Sequence, residues 1–510
     1  MKNCCLVLTL GCVFALSSVQ AREENAHFWY ERGRQAVDAA AEMRPDTRPA
    51  RNVILFIGDG MGISTVTAAR ILQGQLRGET GEENLLAFET LPYLALSKTY
   101  NTDMQTPDSA GTMSAIITGV KTRAGVISVD QRVQKGNCAS ARGAVLKTFL
   151  EQAEEGGLST GVVTTARLTH ATPAATYAHV PERSWEDDSR LSREAKKNGC
   201  RDIARQLIEF PFGDGLEVAM GGGRRGFLPE SQDDPEDKGR KGARKDGRNL
   251  PREWLKNHPN AAYVWNKSQF DAVDPARTDH LLGLFEYSHM EYEHDRPADA
   301  GGEPSLSEMT AKAMDILSRN PKGYFLMVEA GRIDHAHHAG NAFRALTDTI
   351  ELSNAVELAR EKAGDDTLII VTADHSHVFT MAGYPSRGNP ILGKVDKGRG
   401  GQGYELAADG KPYTTLSYAN GRGAAMLKKG GDTHYGVPIG AGRDMDLGHI
   451  DTSDQGFHQQ ALVPLEAETH GGEDVAIYAG GPGAWLFHGV QEQNVIYHVM
   501  RAATGLGGKR

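Results

Sequence analysis

Asn52-Val53-Ile54-Leu55-Phe56-Ile57-Gly58-Asp59-Gly60-Met61-Gly62 decides the fold of this 510-residue chain. The apolar run has no polar face, which is how a strand covered on both sides of a parallel sheet reads. Glycines around Asp59 turn the chain, and Ser64 to Leu76 then begins like a helix capped by a hydroxyl. Asp59 therefore falls just beyond the carboxyl end of a strand. The pattern recurs: Gly161 to Thr165 leads to His170 and Thr172, Tyr324 to Val328 to Glu329, and Leu368 to Thr372 to Asp374. Val475 to Ala479 forms a late strand. Helical stretches such as Ser307 to Ser318 and Ala342 to Lys362 lie between, and an amphipathic helix over Ala26 to Met43 precedes the first strand. The alternation predicts an α/β fold with a doubly wound, mostly parallel central sheet and helices on both faces. In such sheets ligands collect at the carboxyl ends of strands.

The residues at those ends suit metal ions. Asp334 and His338 stand four apart and share one face of a helical turn. With His470 they offer one carboxylate and two imidazoles, the three-ligand form of a catalytic zinc. Asp374, His375 and Asp59 provide a second such set, and two metals about 4 Å apart can hold the attacking and leaving oxygens of an in-line displacement. Glu329, Thr172 and the second oxygen of Asp59 are hard ligands, which fits magnesium. Ser109, within Asp108-Ser109-Ala110-Gly111, precedes an apolar helical stretch, Met113 to Thr118. A hydroxyl there reads as an N-cap, a nucleophile, or both. Arg183 could clamp two phosphate oxygens with its planar fork. Taken singly, each has a plain structural explanation: Asp-Gly is a common turn, and most of the 18 histidines belong at the surface or beside ligands. His335, His337 and His377 are read that way. Jointly the set points to phosphoester hydrolysis.

The formal net charge of −10 argues against a nucleic-acid-binding surface or an anionic-membrane binder. Residues 1–21 read as a secretory signal: Lys2, an apolar run from Cys4 to Leu16, and Val19-Gln20-Ala21 as a cleavage site. That run is too short to span a bilayer, and continues past Cys12, which disfavours a lipoprotein site. The polar tail Gly505 to Arg510 carries no glycolipid-anchor signal. An exported protein, periplasmic or secreted, with no membrane anchor in its mature chain is the expectation. Of five cysteines, Cys138 and Cys200 remain after the signal; they pair as a disulfide or stand as two thiols. The charged stretch Gln232 to Arg248 reads as a solvated surface loop. Residues 22–382 make the first part of the core, 383–468 an inserted subdomain beside the site, and 469–510 its completion.

These motifs resemble the alkaline phosphatase family over nearly all of the mature chain. Gly58 to Gly62, Asp108-Ser109, Val162 to Thr165 with His170 to Thr172, Glu329 to His338, Thr372 to His377 and Glu468 to Asp474 stand in the family's order. Leu281 to Glu286 is similar to animal-type and marine-bacterial members. The resemblance implies hydrolysis of phosphate monoesters through a phosphoserine on Ser109, with Arg183 binding phosphate. It implies one zinc on Asp334, His338 and His470, another on Asp59, Asp374 and His375, and magnesium on Asp59, Thr172 and Glu329. It further implies calcium on Glu236, the Phe285 carbonyl, Glu286 and Glu303, a homodimer, and a crown-like subdomain from Gly383. Two rival readings are a metallohydrolase acting on diesters or sulfate esters, and an exported phosphate- or metal-binding protein without turnover.

Overall fold

The computed structural model describes residues 24–398, 401–426 and 446–507; the expected signal, residues 1–21, lies outside them. The chain divides into Met1–Pro45 and Asp46–Arg510. In the first unit the Asn25 side chain accepts from Phe28 N and caps a helix over Ala26–Glu42, none of whose residues is buried.

The second unit is built on ten strands. These are β1 (Asn52–Gly58), β2 (Tyr93–Lys98), β3 (Ser159–Arg167), β4 (Val218–Gly222), β5 (Ala261–Val264), β6 (His280–Leu284), β7 (Tyr324–Ala330) and β8 (Thr367–Ala373), with Val475–Gly480 and Val490–Glu492. Across the sheet the order is Val490–Glu492, β2, Val475–Gly480, β8, β1, β7, β3, β4, β6, β5. From β8 to β5 every pairing is parallel. Val475–Gly480 runs antiparallel to both β8 and β2. The predicted mostly parallel α/β sheet is what the chain forms.

The apolar run of β1 explains its central place. Val53, Leu55 and Ile57 join one core with the helices Ser109–Thr118 and Val495–Thr504, while Ile54 and Phe56 join the opposite core with Ile63–Leu76, Leu306–Leu317 and Ala342–Lys362. Each such side chain contributes about 1.5–3 kcal/mol on burial. The register sets Ile57 beside Glu329 of β7 and Gly58 beside Ala373 of β8. Asp59 and Asp374 therefore leave adjacent strands at the same level.

The helix after β1 differs from expectation in its start. It opens at Ile63 with Gly62 as N-cap and no side-chain cap, so Ser64 lies inside its first turn. The turn preceding it is dictated by crowding: Gly60 has φ +71° and a Cβ there would lie 2.4 Å from the His377 ring. Only glycine fits both conditions.

After β8 the chain leaves the sheet. Phe379–Met381, Leu416–Gly421 and Ala461–Pro464 form a small separate sheet, and Ala425–Met426 pairs with Phe457–His458. The chain returns at His470–Gly471, which pairs with Ser376–His377. Cys138 and Cys200 form the disulfide. The Gln232 to Arg248 stretch is less solvated than its charges suggest. Arg244 is fully buried and takes Asp202 at 2.9 Å and Asp246 at 2.5 Å, because a buried guanidinium needs its charge paired.

Candidate active site

The carboxyl ends of β1, β7, β8 and β3 converge on one buried cluster. His375 follows Asp374 directly after β8, and its Nε2 lies 3.3 Å from Asp374 and 3.4 Å from Asp59. Both Asp59 oxygens are buried without a hydrogen-bond partner. Burial first, then the charges of Asp374, Asp334 and Glu329, push the Asp59 carboxyl well above the usual range. Burial likewise raises Asp374. Asp374 is oriented by Gly60 N–H at 3.1 Å and by its neighbour's N–H, that of His375, at 2.9 Å. Buried carboxylates that repel each other, with Asp59 left without a donor, are arranged for a cation.

A second cluster adjoins the first. The helix Arg332–His338 sets Asp334 and His338 on one face, and the Nε2 atoms of His338 and His470 approach Asp334 Oδ1 at 3.2 and 3.3 Å. His338 directs Nδ1 to the Glu468 carbonyl at 2.6 Å, and His470 directs Nδ1 to that of Pro107 at 2.8 Å. An imidazole donating from Nδ1 carries its lone pair on Nε2, so both lone pairs meet beside Asp334. The two Nε2 atoms are 3.1 Å apart. The rings of His375 and His470 stack with centroids at 3.6 Å, so the clusters share a wall.

A third set is oxygen-only. Glu329 closes β7 beside Thr164 of β3, whose hydroxyl donates to it. Glu329 Oε1 and Thr172 Oγ1 are buried and unpartnered, and Thr172 and Asp59 adjoin the Glu329 carboxyl, which burial pushes up to about 7.

Ser109 begins the helix Ser109–Thr118, with Asp108 as the N-cap accepting from Gly111 N. Its Oγ lies 3.1 Å from His375 Nε2. The cap falls to Asp108, and the buried Ser109 hydroxyl faces the ligands. Arg183 Nη1 donates to Asp108 Oδ2 at 3.1 Å and its Nη2 lies 3.3 Å from His170 Nε2. Arg183, Ser109 and all eight predicted zinc and magnesium ligands are therefore one assembly.

The proposed calcium residues also meet. Burial and the charges of Glu236, Asp299 and Glu291 push Glu286 up to about 9, and Glu303 is raised in the same way by burial and Glu286. Glu303 Oε2 and Asp299 Oδ2 are buried without partners, which fits a hard cation. Arg224 meanwhile donates to Glu236 at 2.8 Å and to the Phe285 carbonyl at 3.0 Å.

Sequence reasoning left out Glu468 and Asp299. Glu468 Oε2 accepts from His377 Nδ1 at 2.5 Å, and His377 Nε2 donates to Asp334 at 2.9 Å. Burial opposes the charge on His377, but Glu468 and Asp334 prevail and bring it up to about 10. With both ring nitrogens turned to carboxylates, His377 ties Asp334 to Glu468. His337 is a tie between Thr65 at 3.0 Å and Tyr418 at 2.8 Å.

A mostly parallel sheet with carboxylate–imidazole clusters around a helix-terminal hydroxyl defines a metal-dependent hydrolase of phosphate esters. The family model for alkaline phosphatase matches residues 50–506, and the chain belongs to that family, whose members hydrolyse phosphate monoesters. It is 43% identical over 514 residues to the tissue-nonspecific alkaline phosphatase of Gallus gallus, covering 99% of this chain and 94% of that one. The Homo sapiens isozyme is 42% identical over 510 residues, covering 98% and 93%. Among solved structures, that of Thermus thermophilus alkaline phosphatase superposes with TM-score 0.63 at 25% identity, covering 92% and 94%.

Proposed function

We propose that the chain hydrolyses phosphate monoesters through a phosphoserine on Ser109. The observation that carries this reading is the Ser109 hydroxyl, 3.1 Å from His375 Nε2 at the point where the ligand clusters meet. Asp334, His338 and His470 would hold one zinc ion, Asp59, Asp374 and His375 a second, and Asp59, Thr172 and Glu329 magnesium. Bound there, these ions supply Lewis acidity, lowering the pKa of hydroxyl and water and drawing charge from phosphate oxygens.

The chain's own groups do the positioning. The N–H groups of Ser109 and Ala110, at the start of the helix Ser109–Thr118, would favour the anionic substrate, that of Gly111 being taken by the Asp108 cap. Arg183, anchored by Asp108, presents its remaining N–H groups to two phosphate oxygens. Ser109 Oγ attacks phosphorus in line with the departing oxygen, and water then cleaves the phosphoserine to release inorganic phosphate. Alkaline pH favours both steps because each nucleophile acts deprotonated.

Glu236, the Phe285 carbonyl, Glu286 and Glu303 would hold calcium, with Asp299 close enough to join them; the unpartnered oxygens support this. The insertion 383–468 serves as the crown-like subdomain, and its exposed Leu462 and Val463 support a homodimer. Export follows from the leader read in residues 1–21; among the described residues no helix is long and apolar enough to cross a membrane.

Ser109→Ala tests the mechanism: turnover of p-nitrophenyl phosphate should nearly vanish, and phosphate should no longer be trapped on the protein at low pH. Full activity in that variant overturns the assignment. Preferred turnover of diesters or sulfate esters by the wild type would favour the rival metallohydrolase.

A further inference from the structure

A row of arginines leads away from the phosphate-binding fork along the carboxyl ends of the strands. Arg167 closes β3, Arg225 lies just past β4, and Tyr287 to His289 follow β6. Arg183 Nη2 lies 3.3 Å from His170 Nε2, and the His170 ring is centred 5.2 Å from that of His289. Arg167 Nη1 lies against His289 Nε2 and reaches Ser288 Oγ at 3.4 Å. Arg225 N–H donates to the Tyr287 carbonyl at 3.3 Å, and its guanidinium stands 5.7 Å from the centre of that ring. Arg167 and Arg225 are thus neighbours along Tyr287-Ser288-His289, with Arg225 the farther from Arg183. All of these side chains are half-buried, so the row keeps a face toward solvent.

Arg225 differs from the other two in its pairing. Arg183 is held by Asp108 at 3.1 Å, and Arg167 by Glu186 from Nε and Nη2, both at 2.7 Å. Among the described residues no carboxylate forms a hydrogen bond with the Arg225 guanidinium. Burial first, then the charge of Arg167, weaken its hold on its proton, and Glu186 opposes them only in part. Asp187, beside Gly226, accepts instead from the Ser189 N–H at 2.9 Å. A half-buried guanidinium without a carboxylate of its own is costly, and an anion relieves it. Its planar fork suits the paired oxygens of a phosphate.

We propose that Arg225 is a specificity residue that receives a second phosphate on the substrate, so that small bisphosphates are preferred to the matching monophosphates. The inference rests on the phosphate-monoester reading of the neighbouring site, where the first phosphate is cleaved. Two imidazole rings separate the Arg183 fork from Arg167, and Arg225 lies beyond. The two phosphates must therefore stand at opposite ends of a scaffold such as a hexose. Pyrophosphate, whose phosphorus atoms share one oxygen, is too short to touch Arg183 and Arg225 together.

The test compares fructose 1,6-bisphosphate with fructose 6-phosphate on the metal-loaded enzyme. The wild type should favour the bisphosphate by about tenfold in kcat/KM, chiefly through KM, as one charge-assisted contact implies. In Arg225→Gln the ratio should fall to near parity, and Arg225→Lys should lie between. Calorimetry on metal-loaded Ser109→Ala, with the same two ligands, reads the subsite without turnover and so separates its failure from that of the phosphoserine assignment. Equal affinity for the two ligands, or a bisphosphate preference undiminished in Arg225→Gln, would overturn the proposal. Should neither Arg225 variant fold, the wild-type and Ser109→Ala comparisons decide, since parity there sinks it.

Discussion

Arg183 offers the sharpest measurement of how the site grips phosphate. One nitrogen of its fork is committed to Asp108 at 3.1 Å, and Nη2 lies 3.3 Å from His170, so the group is oriented before substrate arrives. Two charge-assisted hydrogen bonds to phosphate oxygens contribute about 1.5–3 kcal/mol each. Taking the low end of that range for both, Arg183→Ala should cost about 3 kcal/mol, or about 10²-fold in kcat/KM. Arg183→Lys keeps the charge but loses the fork, and should fall between, at about 10–100-fold. Asp108→Asn separates anchoring from capping, since asparagine caps a helix as well as aspartate does. That variant should keep its thermal stability while losing affinity for inorganic phosphate. The assay is steady-state hydrolysis of p-nitrophenyl phosphate with phosphate as competing ligand. A folded Arg183→Ala protein within threefold of wild type in kcat/KM would refute the reasoning.

Other expectations concern stability. Cys138 and Cys200 are separated by 62 positions, for which the chain-entropy model gives about 4 kcal/mol. The double alanine variant should show a clearly lower guanidinium midpoint, and an unchanged midpoint would count against it. Asp59→Asn should act in opposite directions: it relieves repulsion in chelator-treated protein and raises its Tm, but lowers the Tm of metal-loaded protein. A change of the same sign in both melts would contradict the reading of Asp59 as a metal-bound carboxylate. Burial and the neighbouring His280 hold His258 down to about 4, while in the unfolded chain it titrates near 6.5. The unfolded state therefore takes up the proton first as pH falls, and stability drops between pH 6.5 and about 4. His258→Phe should flatten that slope in urea unfolding followed against pH.

Much of this was legible because the sheet puts chemistry at strand ends. The run Val53 to Ile57 had to be a strand covered on both faces, and Asp59 had to leave it. Asp334 and His338 were readable as one helical face from their spacing. His470 was a motif whose position only pairing with His377 could supply. Glu468 was invisible as a functional group, since nothing local says that its carboxylate reaches across to His377. Asp299 was missed for the same reason, since Glu236, whose charge it adjoins, stands 63 positions earlier. Arg244 misled in the other direction: its charged neighbours suggested solvent, but Asp202, 42 positions earlier, draws it inside. Local pattern specifies what a residue adjoins along the chain, and long-range partners appear only on folding.

The insertion of Val475–Gly480 between β8 and β2 has a bearing on biogenesis. While the polypeptide is emerging, the outer border of β8 has no neighbour, and the imidazole of His470 has yet to arrive. A truncated or half-made chain thus presents a sticky ribbon and an incomplete cation trap at the same time. Late closure of a long-range pairing is slow and leaves a window for misassembly. Catalytic competence is thereby postponed until almost the last residues have been placed.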